Sequence, residues 1–118
     1  MLASLIGLLV FAAMGGALIW QPQLLTRLIG QELATPEARN EVRAVYGGVG
    51  VGAALAFFIG IVYSPWRQAI AVTIGLMLIA MAGARGYSWY IERTTNPLVY
   101  AFLGAEAVLG LMFVFFNG

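Results

Sequence analysis

The chain has 118 residues, of which 62% are hydrophobic and 9% are charged, and its net charge is +1. Soluble domains carry about 25% charged residues, and so small a net charge gives no basic surface for nucleic acid. His, Cys, Lys and Asp are absent, which excludes ordinary zinc, haem and iron–sulfur sites, a Cys nucleophile and a Schiff-base Lys. We therefore interpret the chain as an all-α integral membrane protein with no cofactor, no metal and no nucleic-acid partner.

Four apolar stretches are long enough to cross a membrane as helices, which takes about 20 residues. Thr35 is a good N-cap and Pro36 suits the first helical position, so the second helix is predicted to begin there. Pro65 ends that helix, because the residue before a proline is disfavoured in the helical region. Short connections favour antiparallel packing, so we predict one transmembrane domain, 1–118, folded as a four-helix antiparallel bundle. The predicted spans cover residues 2–20, 36–63, 66–91 and 97–116.

The connection between the first two spans has the pattern of a short amphipathic helix at about 22–34. Leucines and isoleucine recur at helical spacing, and polar residues fall largely on the other side. We predict that this helix lies in the membrane interface; the alternative is a leucine-rich loop. Its apolar residues are Leu24, Leu25, Leu28, Ile29 and Leu33, and its polar ones are Gln23, Arg27, Gln31 and Glu32.

Four spans place both termini on the same face of the membrane, and most arginines lie toward the opposite face. The positive-inside rule would put that opposite face in the cytoplasm. We leave the orientation open, because Arg43 and Arg85 are candidates for function as well as topology.

Ionisable residues below the membrane surface are the main candidates for a site. Arg85 and Glu106 lie at similar distances from the turn near Thr95, so an antiparallel hairpin brings them to the same depth. Arg43 lies about 10 Å along its own helix from Pro36, at a similar level. Burying an ionisable group on an isolated helix costs about 2.5–3.5 kcal/mol. We therefore predict that Arg85 pairs with Glu106 inside the bundle.

Arg43 is the expected third member of this cluster, with Tyr46 beside it. The cluster would be net positive unless Glu41 or an anionic ligand joins it, and this favours a binding site. The alternative is a buried ion pair that only fixes the register of the helices.

The second span contains four glycines within seven residues, Gly47, Gly48, Gly50 and Gly52. Gly48 and Gly52 form a small-xxx-small pair, which lets a neighbouring helix approach closely. We predict that these glycines serve helix packing; the alternative is that they make room for a ligand beside Arg43 and Tyr46.

Several of these motifs together resemble a known family. The segments 41–48, Glu-Val-Arg-Ala-Val-Tyr-Gly-Gly, and 83–86, Gly-Ala-Arg-Gly, followed by Pro97 and Glu106, are similar to those of small bacterial four-helix membrane proteins. That family is described only as a domain of unknown function and looks related to the DoxX-like group. The similarity extends over 37–113, although Thr-Thr-Asn replaces the family's usual Asp-Gly before Pro97. The resemblance implies four helices and a bacterial cytoplasmic membrane, and it implies no reaction.

The function predicted from these features is that of a non-enzymatic binding or accessory protein. Its Arg/Glu cluster would hold an anionic group, such as a lipid head group or a carboxylate, because Arg makes bidentate contacts with carboxylates and phosphates. The same cluster could instead bind a partner subunit. The expected partners are membrane lipids and either further copies of the chain or a larger membrane complex, since the chain is small and has glycine-rich helix faces.

Two other functions remain as alternatives. A small proton-coupled transporter would use Glu106 as its carboxylate, but a neighbouring Arg85 favours the charged form and opposes that role. An enzyme similar to the membrane glutathione transferases would use Arg43 and Arg85 to hold a carboxylate and Tyr46 to stabilise a thiolate.

Overall fold

The computed structural model describes residues 1–29, 35–93 and 97–117, and the regular structure in these ranges is helical throughout. This confirms the all-α prediction for the part of the chain described. The elements are α1 Leu2–Trp20, α2 Gln23–Ile29, α3 Pro36–Val42, the π segment Arg43–Gly48, α4 Val49–Val62, α5 Ser64–Glu92 and α6 Pro97–Phe115. Helices α3 and α4 and the π segment between them are continuous and form one helix, Pro36–Val62.

The start of α3 follows from its sequence. The Oγ1 of Thr35 accepts a hydrogen bond from the backbone N–H of Ala38 at 3.1 Å, which satisfies one of the free donors of the first turn. Pro36 takes the first helical position, where its missing N–H costs nothing. Of the interfacial helix predicted at 22–34, α2 accounts for Gln23–Ile29, and 30–34 lie outside the described residues.

The chain turns sharply between α4 and α5. Tyr63 is the single residue between them and has extended dihedrals, φ −125° and ψ 90°. The third helix begins at Ser64, two residues before the predicted 66, because Pro65 is tolerated in a first helical turn. Arg67 holds the turn together by donating hydrogen bonds to the carbonyls of Gly60 at 2.9 Å and Ile61 at 3.1 Å, which lie in the last turn of α4.

Helix α1 packs against α4 and the π segment at very short range, and glycines make this approach possible. Close contacts join Gly7 to Phe57 and Gly15 to Gly50, so the residues pair in opposite order and the two helices run antiparallel. A Cβ placed on Gly50 would lie 2.8 Å from the Cα of Gly15, a distance that real Cβ atoms do not show. Gly47 is also buried here, against Ile19.

The glycine pair predicted to pack, Gly48 and Gly52, is the wrong pair. Both residues are exposed, and a Cβ on Gly52 would meet no atom within 4 Å in the described part of the chain. The buried residues of this helix, from Gly47 through Gly50 to Phe57, follow one another at steps of three or four, the spacing of one helix face. Gly47 and Gly50 lie on this face, toward α1, and Gly48 and Gly52 face outward.

Helices α5 and α6 form the second close pair. Gly75 lies against Gly110 at one end, and Trp89 donates a hydrogen bond to the hydroxyl of Tyr100 at the other, at 2.7 Å. These contacts also pair in opposite order, so α6 returns antiparallel to α5. The two pairs join through contacts between α4 and α5 and through an aromatic core.

Three phenylalanines link the two helix pairs at the core. Phe57 is fully buried, with its ring centroid 6.0 Å from that of Phe11 and 5.0 Å from that of Phe113. Gly7 makes room for Phe57, since a Cβ at position 7 would lie 2.5 Å from the ring. The core thus depends on one large side chain from α4 that fills the space between α1 and α6.

Within the described residues, three helices are long and apolar enough to cross a membrane, namely Leu2–Trp20, Pro36–Val62 and Ser64–Glu92. The described apolar part of α6, Val99–Phe115, is shorter. Most residues in the three long windows are not buried inside the protein, so their apolar side chains form its outer surface.

Candidate functional site

The predicted ion pair between α5 and α6 is present. Nε of Arg85 donates a hydrogen bond to Oε2 of Glu106 at 2.7 Å. The Glu106 side chain is 11% exposed and that of Arg85 is 35% exposed, so the carboxylate is shielded and the guanidinium is partly open. The ring of Phe102 lies 5.2 Å from Cζ of Arg85, in a cation–π contact. Phe102 and Glu106 are four residues apart on α6, which places both on the face toward Arg85.

Arg85 and Glu106 line a cavity of about 620 Å³, which we call the Arg85 cavity. Its walls come from α1, α2, the π segment, α5 and α6. It lies toward the end of the molecule where α1 and α5 end, because Ala17 and Leu18 of α1 line it together with Arg85. Along α5, Arg85 is about 10 Å from the helix end at Glu92, at a rise of about 1.5 Å per residue.

Most of the cavity wall is apolar. The methionines of this wall, on α1 and α5, are flexible side chains that adapt to irregular ligands. A cavity with largely apolar walls and a few converging polar groups is typical of small-molecule sites. The apolar lining consists of Met14, Ala17, Leu18, Leu24, Leu25, Met81 and Phe102.

Four lining residues carry polar groups: Arg27, Tyr46, Arg85 and Glu106. Among the residues that the structure describes, two guanidinium groups and one carboxylate give the cavity one excess positive charge. Within the described residues, no acidic side chain pairs with Arg27. The Arg85–Glu106 contact engages one of the five N–H donors of the guanidinium, which leaves further donors for a ligand.

Arg27 lines the cavity, although the amphipathic pattern predicts it on the polar side of the segment, away from the leucines. In the structure Leu24, Leu25 and Arg27 of α2 all line the cavity. The spacing of three residues between Leu24 and Arg27, which puts both on one side of a helix, was the available signal.

Arg43 does not join the ion pair, contrary to the expectation that it forms the third member of the cluster. Its Nε donates a hydrogen bond to the backbone carbonyl of Ile19 at 2.9 Å, and it does not line the Arg85 cavity. The last carbonyls of a helix have no partner within the helix, and a cation there also complements the helix dipole. Arg43 therefore stabilises the end of α1.

Of the other two predicted site residues, one lines the cavity and one does not. Tyr46 lies in the π segment and lines the cavity, whereas Glu41 is exposed on α3 and does not line it. Glu41 therefore does not balance the charge of the cavity.

The donor set of the cavity suits an anion. Guanidinium groups bind carboxylates and phosphates through paired hydrogen bonds, and an apolar surrounding strengthens such contacts. In the described ranges, no group of three or more metal-ligating side chains comes together. The chemistry that the cavity offers is recognition of a negatively charged group next to an apolar surface.

Comparison with curated proteins and with solved structures gives no match to this chain. One family model, that of a domain of unknown function (DUF4345), matches residues 2–117, nearly the whole chain. The expected resemblance to a family of unknown function is thereby confirmed. On this evidence the chain belongs to the DUF4345 family.

Proposed function

We propose that this protein is integral to the bacterial cytoplasmic membrane and acts there as a binding or accessory subunit, not as an enzyme. Its ligand is an anionic amphiphile, held with its charged group at Arg85 and Arg27. In this proposal α1, Pro36–Val62, α5 and α6 form a four-helix antiparallel bundle with both termini on the same face. The length and composition of the first three support membrane insertion, and the relationship to the DoxX-like group belongs to the same proposal.

The observation that carries this function is the Arg85 cavity itself, which joins an apolar wall to an excess positive charge. An amphiphile has a complementary division into an apolar chain and a charged group. Its chain would replace lipid or water against the apolar wall, and its anionic group would balance the excess charge inside the bundle.

The hydrogen-bond donors of the cavity support an anionic ligand. Arg85 lies about 10 Å from the end of its helix, and its only ionic partner among the described residues is Glu106. Arg27 lines the same cavity with an exposed side chain, and no carboxylate of the described residues pairs with it. A bound anion would accept charge-assisted hydrogen bonds from both guanidinium groups.

The two alternatives receive less support from the geometry. A proton-coupled transporter would need Glu106 to exchange protons, but the carboxylate is held by Arg85 at 2.7 Å. An arrangement like that of the membrane glutathione transferases would need Arg43 beside Tyr46 and Arg85. Arg43 instead binds the Ile19 carbonyl.

An accessory role also implies a partner in the membrane, either further copies of the chain or a larger complex. Gly48 and Gly52 lie on an exposed face of the second long helix. They would permit close approach by a partner helix.

Native mass spectrometry of the protein extracted in a mild detergent tests the proposed function. We expect the wild type to retain an anionic amphiphile, and the variant R27Q to lose most of it. R27Q removes the excess positive charge of the cavity and leaves the Arg85–Glu106 pair intact. R93Q is the matched control, because Arg93 stacks on Trp89 outside the cavity. A wild-type protein free of bound anionic amphiphile and of partners would contradict the proposal.

A further inference from the structure

We infer that the ligand of the Arg85 cavity is a single-chain amphiphile that carries one negative charge, such as a fatty acid. This inference rests on the proposed function and specifies its ligand class. Three independent properties of the cavity lead to it, namely its volume, its charge and the order of polar and apolar residues along its length.

The volume fits one acyl chain. Sites for single small ligands measure about 300–1,000 Å³, and the Arg85 cavity measures about 620 Å³. A fatty acid with one chain is a ligand of this size class, and a phospholipid with two chains is larger.

The charge fits a monoanion. Arg27 and Arg85 face one carboxylate, that of Glu106, in the same cavity. One added negative charge balances the charges of the described lining residues. A phosphomonoester with two negative charges would leave an excess of negative charge close to Glu106, which is unfavourable in an apolar surrounding.

The order of the lining residues fits an amphiphile oriented as in a bilayer. Arg27 is exposed on α2, at the end of the molecule where α1 and α5 terminate. Met81 lies one helical turn further from that end than Arg85, and Met14 lies one turn further than Leu18. The charged groups thus lie toward the end of the bundle and the methionines toward its middle. An acid group between the two arginines would direct its chain to the middle of the membrane.

The test measures binding to the full-length protein in nanodiscs of zwitterionic phosphatidylcholine, with empty nanodiscs as background. Radiolabelled palmitate is the probe. Lysophosphatidylglycerol, which has one chain and one phosphodiester charge, should displace it, whereas hexadecanol, with a chain of the same length and no charge, should displace it at least tenfold less well. Phosphatidylglycerol, with two chains, should not displace it. If lysophosphatidylglycerol displaces the labelled palmitate, the cavity accepts a phosphodiester as well as a carboxylate. If only unlabelled palmitate displaces it, the cavity selects a carboxylate. Either result supports the inference.

Two variants test whether palmitate binds in this cavity. R27Q should weaken palmitate binding about tenfold, the loss typical of one hydrogen bond to a charged group. It changes an exposed side chain on α2, so thermal unfolding should match that of the wild type, and R93Q should bind like the wild type. Met81→Trp fills the inner part of the cavity and should shift the preference from palmitate to a shorter acid such as decanoate.

The outcomes separate this inference from the proposed function. If phosphatidylglycerol binds in an Arg27-dependent manner and palmitate does not, the single-chain inference is wrong and the proposed function stands. If hexadecanol competes as well as palmitate, or if no anionic amphiphile binds, both fail. Unchanged palmitate binding by both R27Q and M81W would place the ligand elsewhere and overturn the inference.

Discussion

The two side chains of the Arg85–Glu106 pair differ in exposure, and this difference leaves the guanidinium open to a ligand on one side. The Glu106 side chain is 11% exposed, and that of Arg85 is 35% exposed. Glu106 therefore acts as a buried anchor that fixes the position of the guanidinium. Arg85 is additionally held over the ring of Phe102. An arginine fixed on one side and open on the other is preorganised for an incoming anion, which reduces the entropy lost on binding.

A double-mutant cycle should show that the pair is coupled energetically. We expect R85Q and E106Q each to lower the free energy of unfolding by about 1–3 kcal/mol, because each leaves a charged partner without its counter-ion. The double variant R85Q/E106Q should lose less than the sum of the two, by about 0.5–3 kcal/mol. Denaturation in mixed detergent micelles measures these values. R93Q serves as the control for loss of an exposed charge, and additive losses would show that the two groups do not interact.

At the scale of helices, the spacing of the buried residues along Pro36–Val62 shows the effect of the π segment. Its buried residues include Val42, Gly47, Gly50, Ala54 and Phe57. The step from Val42 to Gly47 is five residues and the later steps are three or four. A π turn accommodates the additional residue. The segment packs against α1 together with α4, and it also carries Tyr46 to the cavity.

The adjacent glycines Gly15 and Gly16 allow the α1–α4 contact to be tested with one matched pair of variants. A Cβ on Gly15 would lie 2.5 Å from the backbone nitrogen of Val51, whereas a Cβ on Gly16 would meet nothing within 4 Å in the described structure. G15A should therefore destabilise the protein by about 1–3 kcal/mol through overpacking. G16A should be neutral or stabilising by up to about 1 kcal/mol, since Ala favours a helix. Thermal unfolding in detergent compares the two, and equal effects would contradict the close contact.

The positions of the helices could be predicted from the sequence, because hydropathy, Thr35, Pro36 and the other prolines mark them. The pairing of Arg85 with Glu106 could be predicted too, since a short turn fixes the register of a hairpin. The placement of Arg43 and the packing glycines could not, because periodicity gives the spacing of a helix face but not which face packs against α1. The role of Arg27 depends on where α2 lies around the cavity, next to residues of α1, α5 and α6, a tertiary arrangement that local periodicity does not contain.

At the scale of the whole molecule, the apolar outer surface is the feature that distinguishes a lipid from an aqueous surrounding. Large apolar side chains such as Leu9, Phe58, Leu76 and Phe115 are exposed. A soluble monomer rarely exposes continuous apolar surface of this kind. In a bilayer the same surface contacts lipid chains without cost, so the helices need only small residues and a few aromatic contacts to hold together.

The proposed topology predicts where single cysteines can be labelled. The sequence contains no Cys, so each variant carries one thiol. In intact cells, a membrane-impermeant maleimide should label L2C and F116C from the same side, because four crossings return the chain to its starting face. E37C and E92C, at exposed positions near the other ends of the helices, should be labelled from the opposite side. Labelling after permeabilisation controls for accessibility of each thiol. If L2C and F116C react from opposite sides, α6 does not cross the membrane, and the Arg85 cavity then lies at a bundle of three helices.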